Sequence, residues 1–142
     1  MAHQISVFAE NRPGRLRKVT GLLAEAGVNL RALTITGVEK YGVIKLLVDK
    51  PDLAYEALIA AGVPAKKQEV IAILIEDEPG SLYKALSALA ERGVNIENAY
   101  GFLTHESDKA VFVFEVEDPK QTVELLREMG FKPLSDAEIA AL

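Results

Sequence analysis

The sequence has 142 residues, 49% of them apolar and 26% charged, with a net charge of −5. That describes one domain or two small ones around a buried core, and no run nears the ~18 apolar residues of a membrane-spanning helix. It has no cysteine, and its two histidines, His3 and His105, lie in separate halves, so disulfides, thiolate chemistry, iron–sulfur clusters and a bound metal are not expected.

The N-terminal "MAHQISVFAENR" has no basic region leading into an apolar stretch, so no signal peptide is expected and a cytoplasmic location is. Within it "QISVFA" reads as a short strand rich in β-branched residues. Next, Leu16, Val19, Thr20 and Leu23 recur at helical spacing and make one apolar face. "AGVN" ends that helix, with Gly27 where a left-handed residue is wanted. "LRALTITG" and "VIKLLVD" form a hairpin, and "PDLAYEALIAAG" is a second helix with proline in front and glycine behind. A short last strand is expected near Pro64–Gln68.

The same series then runs again. "VIAILI" is a strand, and Leu82, Ala85, Leu86 and Leu89 make the helical face before "RGVN". "IENAYGFLT" and "AVFVFEVE" form the hairpin, "PKQTVELLREMG" the second helix, and Lys132–Ser135 the last strand. From Pro13 to Asn29 and from Pro79 to Asn95, ten of seventeen positions are identical, which marks a duplication. The 66-residue offset becomes 68 after "LTHESDKA", the counterpart of "GVEKYG", so the insertion lengthens a hairpin loop. The fold class is α+β: two ferredoxin-like βαββαβ repeats, residues 1–68 and 69–142, each an antiparallel sheet with both helices on one face.

Residues 1–68 hold ten Lys and Arg against six Asp and Glu, and residues 69–142 hold six against fifteen, giving +4 and −9. Such halves attract, and with almost no linker at "AKKQEV" they are expected to pack as one unit. The basic half has no dense Lys/Arg patch with interleaved aromatics, so no nucleic-acid partner is expected. In the third strand Ile44, Leu46 and Val48 should meet the helices, as should Phe112, Phe114 and Val116. The opposite face, with Val43, Lys45 and Leu47 or Val111, Val113 and Glu115, is too apolar to be fully wet, so a second sheet is expected to pack there, and a homodimer is expected.

The loops "ENRPG" and "EDEPG" precede the first helix of each repeat. Pro13 and Pro79 suit the first helical position. The amides of Gly14, Arg15 and Leu16, and those of Gly80, Ser81 and Leu82, then lack an intrahelical acceptor and face outward at the positive end of the helix dipole. That arrangement favours a carboxylate. Asn11 and Asn29, matched by Asp77 and Asn95, are expected to come together and offer the donors and acceptors that a zwitterion needs. Glu76, Asp77 and Glu78 replace Glu10, Asn11 and Arg12 in the second loop, so the two sites should not be equivalent.

"E-N-R-P-G-R-L…G-V-N" and "E-D-E-P-G-S-L…G-V-N" resemble the signature of the ACT domain, a small regulatory ferredoxin-like module, in both repeats. The terminal "KPLSDAEI" is similar to stand-alone tandem ACT proteins, and "ISVFAENRPGRLRKVTGLLAEAGVNLRALTI" to the ACT segment of acetolactate synthase regulatory subunits. The resemblance implies a sensor that binds an amino acid or similar small zwitterion between ACT modules, through Asn11, Arg12, Pro13, Gly14, Arg15, Leu16 and Asn29. In the second repeat it implies Asp77, Pro79, Gly80, Leu82 and Asn95. Some serine-sensing ACT domains carry a histidine where this chain has Ala9 and Ile75. A biosynthetic enzyme such as acetolactate synthase is the implied protein partner. Catalysis and a cofactor are not expected, since no nucleophile, base or phosphate loop accompanies either motif.

Overall fold

The computed structural model describes residues 1–142, except the side chain of Val38. The elements are β1 (Ala2–Glu10), α1 (Arg15–Glu25), β2 (Leu30–Val38), β3 (Tyr41–Val48), α2 (Pro51–Ala60) and β4 (Ala65–Glu76). They continue with α3 (Ser81–Glu91), β5 (Asn98–Leu103), β6 (Lys109–Glu115), α4 (Pro119–Glu128) and α5 (Asp136–Ala140). The chain forms two units, His3–Gln68 with Ile139–Ala141, and Glu69–Glu138 with Met1–Ala2 and Leu142.

In the unit of His3–Gln68, β3 lies antiparallel to both β1 and β2, with Ile5 opposite Leu46 and Val7 opposite Ile44. Alternation sends these four residues and Val48 to one face, where they pack with Val19 and Leu23 of α1 and Ala54 and Leu58 of α2. Glu39 and Lys40 alone turn β2 into β3, and Glu39 adopts a left-handed φ of 55° to do so.

In the unit of Glu69–Glu138, β6 lies antiparallel to β4 and β5. Ile71, Ile73, Phe112 and Phe114 pack on Ala85, Leu89, Val123 and Leu126. Phe112 and Phe114 stack with ring centres 5.2 Å apart, in place of the aliphatic Ile44 and Leu46. The hairpin loop is longer here, closed by the Thr104 amide donating to Lys109 O at 3.2 Å.

Three details differ from the sequence reading. The last strand of the first repeat and the first of the second are one strand, β4, because no breaker interrupts "AKKQEVIAILIE". The last strand of the second repeat shrinks to a single bridge between Pro133 and Ile73, since Pro133 has no amide to donate. A short terminal helix, α5, was not anticipated, although "SDAE" carries its capping box: the Glu138 amide donates to Ser135 Oγ, and the Ser135 amide to Glu138 Oε1, each at 3.2 Å.

The face expected to bind a second chain is closed over much of its length. Val111 and Val113 are 1% and 0% exposed within the chain itself, as is Leu47 at 0%. Val111, Val113 and Leu47 are therefore interior residues and cannot serve as a dimer surface, whereas Val43 is half-buried beside Phe8, which is 49% exposed.

Candidate functional site

The loop between β1 and α1 turns on Gly14, which takes the N-cap position of α1 at φ 87°; Gly80 does the same for α3 at φ 91°. Pro13 and Pro79 thus stand one residue before the cap and not at the first helical position. Pro51 and Pro119 do occupy the start of α2 and α4. The glycines serve conformation rather than close packing, because a Cβ at either would meet nothing within 4 Å. Gly14→Ala is expected to cost about 1–2 kcal/mol through left-handed strain alone, read as a lower urea midpoint with an unchanged slope. A midpoint equal to that of the parent would show that the loop relaxes.

Of the three amides expected to be free in each loop, the first and third have no backbone acceptor among the described residues, and only the middle one does. Arg15 donates back to Arg12 O at 3.4 Å and Ser81 to Glu78 O at 3.3 Å, closing a turn ahead of each helix. Regular helix bonding begins with Lys18 to Gly14 O at 3.0 Å and Lys84 to Gly80 O at 2.9 Å. Among the described residues, the amides of Leu16 and Arg17, like those of Leu82 and Tyr83, have no backbone acceptor, and no side chain caps either helix. By contrast Asp118 caps α4, accepting from the Gln121 amide at 3.1 Å.

Asn11 fastens its loop to the β2–β3 turn: its amide donates to Lys40 O at 2.7 Å and its Nδ2 to Glu39 O at 3.1 Å. Gly37 makes this contact possible, since a Cβ there would lie 2.7 Å from Asn11 Nδ2. Asp77 repeats the backbone half of the brace, donating to Asp108 O at 2.8 Å. Asn29 is not beside Asn11. Its amide donates to Asp49 Oδ1 at 2.9 Å and its carbonyl accepts from the Asp49 amide at 3.1 Å, where β3 gives way to α2. β3 runs the full span between them, roughly 20 Å or more for an eight-residue strand. Asn95 likewise lines a separate 200 Å³ cavity with Glu117 and Asp118, away from Asp77.

Beside the first loop is a cavity of 160 Å³ lined by Asn11, Arg12, Gly14, Leu16, Ile35 and Ile44, among others. The corresponding hollow in the other unit is 320 Å³, lined by Asp77, Glu78, Leu82, Leu103 and Phe112, with Gly101 in the place of Ile35. The rims carry opposite charge. Arg12, Arg15 and Arg17 line the first, and Glu76, Asp77 and Glu78 the second. Arg12 meets Glu10 at 3.4 Å, an exposed pair of little energetic weight. Glu76 pairs with Lys109, and this hydrogen bond raises the Lys109 ammonium above its ordinary pKa. A carboxylate therefore finds amides and cations at the first loop, and amides behind a wall of like charge at the second.

Among the described residues no group of His, Asp or Glu is arranged to hold a metal ion. No helix is long and apolar enough to cross a membrane.

The two βαββαβ repeats have a known counterpart. Residues 1–142 match the ACT domain pair family over their whole length. The chain belongs to that family. This ACT pair is 26% identical over 147 aligned residues to a probable acetolactate synthase small subunit of Archaeoglobus fulgidus, covering 95% of this chain and 92% of the relative. Its fold matches the crystal structure of a Bacteroides thetaiotaomicron protein at 33% identity and a TM-score of 0.92, over 99% and 96% of the two chains. The ligand-free regulatory subunit of aspartate kinase from Thermus thermophilus shares the fold at 20% identity, with a TM-score of 0.63 over 89% and 91%.

Proposed function

We propose that this ACT pair is a non-catalytic sensor that binds an amino acid, or a similar small zwitterion, at the β1–α1 loop of its first repeat. The observation that carries the reading is the uncapped start of α1 beside a cavity with a cationic rim. The ligand carboxylate rests on the amides of Leu16 and Arg17, with Gly14 shaping the turn and Asn11 holding it against the β2–β3 hairpin. Pro13, Arg12 and Arg15 frame it. The acidic loop of Asp77, Pro79, Gly80 and Leu82 is the weaker site for a carboxylate. Asn29 and Asn95, at the far ends of α1 and α3, take no part in the same pocket. A second copy of the chain could bring them to it, and β2, an edge strand with Leu33 and Ile35 exposed, is where such a copy would pair.

An enzyme of amino-acid biosynthesis is the natural protein partner of such a sensor, and the Archaeoglobus fulgidus relative, named as an acetolactate synthase small subunit, supports that choice. A thermal-shift screen of the twenty amino acids tests the binding. The right one, at 100 times its dissociation constant, should stabilise the fold by about 2.7 kcal/mol. No shift with any of them, joined to specific capture of a biosynthetic enzyme, would leave a docking subunit without a ligand.

A further inference from the structure

A second and larger cavity, 540 Å³, surrounds the end of β1 in the unit of His3–Gln68, and it adjoins the loop cavity through Arg15, Glu10 and Gly42, which line both. Its walls include Phe8, Val43, Thr36, Tyr41 and Pro64, and its only charged residues are Glu10 and Arg15. Two of those walls are aromatic rings left open to solvent, Phe8 at 49% and Tyr41 at 70%. Arg15 is half-buried, and its Nε is shut off from solvent with no hydrogen-bond partner. A guanidinium nitrogen removed from water without an acceptor is unfavourable until an anion reaches it.

We infer that the ligand is an aromatic amino acid, its carboxylate on the amides of Leu16 and Arg17 and also met by the Arg15 guanidinium, and its ring in the cavity between Phe8, Tyr41 and Val43. This rests on the amino-acid reading above and adds the side-chain class and the residue that selects it. Arg supplies a fixed fork of donors that matches a carboxylate. Glu10 lies on the same rim and faces the ligand ammonium. Ring-on-ring contact with Phe8 and Tyr41 favours an aromatic side chain over an aliphatic one of similar hydrophobicity. The second repeat lacks the device. Ser81 stands in the place of Arg15 and Phe102 in that of Thr36, while the counterpart of Val43 is Val111, 1% exposed.

Calorimetric titration of the full chain with phenylalanine, tryptophan, leucine, alanine and serine tests the inference, with Arg15→Gln and Thr36→Trp as variants. Thr36 is exposed on a strand, so tryptophan there fills the cavity mouth without disturbing the core. Phenylalanine or tryptophan should bind at least tenfold tighter than alanine or serine, and tighter than leucine. Arg15→Gln should weaken them roughly tenfold to a hundredfold, the loss of a charge-assisted hydrogen bond. Thr36→Trp should abolish the preference for aromatic over small side chains. Phenylpyruvate, which lacks the ammonium, should bind more weakly than phenylalanine. Alanine, serine or leucine binding as tightly as phenylalanine would overturn the inference and leave the sensor reading standing. Aromatic binding that neither variant alters, with both melting like the parent, would also overturn it by placing the ring elsewhere. No heat from any amino acid would overturn both.

Discussion

Val113→Lys is expected to unfold most of the chain. Val113 sits mid-strand in β6, opposite Ala72 of β4 and Tyr100 of β5, and is 0% exposed. Its neighbours Val111, Ala72 and Val70 are at most 1% exposed and Tyr100 opposite is half-buried, so a lysine would bury most of its length. It must either carry its charge into the interior or give up the proton. A fully buried lysine is shifted down by up to about 3–5 pKa units, which costs about 4–5 kcal/mol at neutral pH, where the cost is limited to that of giving up the proton. Domain stabilities are typically about 5–15 kcal/mol, so little would remain. Circular dichroism at 25 °C should show lost structure or a collapsed melting temperature. A folded variant melting like the parent would mean that this face is open after all, and would return it to the role of a dimer surface.

Phe114→Ala is expected to be nearly as severe. Phe114 is fully buried, and it contributes both area and a stacking partner for Phe112 at 5.2 Å. Truncating a buried phenylalanine costs about 3–5 kcal/mol, the transfer of the ring plus the cavity it leaves. Phe114→Leu keeps most of the volume and should cost less than half of that. Urea titrations would read both as lower midpoints. Equal midpoints for Phe114→Ala and the parent would show that the second-repeat core is not organised around this ring.

How far the sequence was legible depended on what each residue encodes. The duplication, the βαββαβ order and the helix-facing residues Ile44, Leu46, Phe112 and Phe114 follow from periodicity, which is local and repeated. The single long β4 was hidden because two strands in succession carry the same pattern as one, and only a turn residue would have separated them. Alternation told which face Val111 and Val113 share, but not that the chain itself buries both residues. The Asn11–Asn29 pairing failed for a directional reason. α1 carries the chain from one end of the sheet to the other before β2 returns it, so the residues flanking the helix end up a helix length apart. Only the Arg15 amide left the expected set, because Gly14 in left-handed geometry lets it close a turn on Arg12. The exchange of Arg15 for Ser81 was visible from the alignment of the repeats. The cavity that gives it meaning was not, because Thr36, Tyr41 and Pro64 reach it from three different elements.

The central claim is that an amino-acid carboxylate lies on the start of α1, and amide NMR addresses it most directly. In a titration of ¹⁵N-labelled protein with phenylalanine, the amides of Leu16 and Arg17 should show the largest downfield shifts, as expected of donors gaining a charged acceptor. Leu82 and Tyr83 should stay in place at the same ligand concentration. Shifts concentrated at Leu82 and Tyr83, or at Asn29 and Asn95 with Leu16 and Arg17 unmoved, would contradict the account and leave the first loop as a turn ahead of a helix.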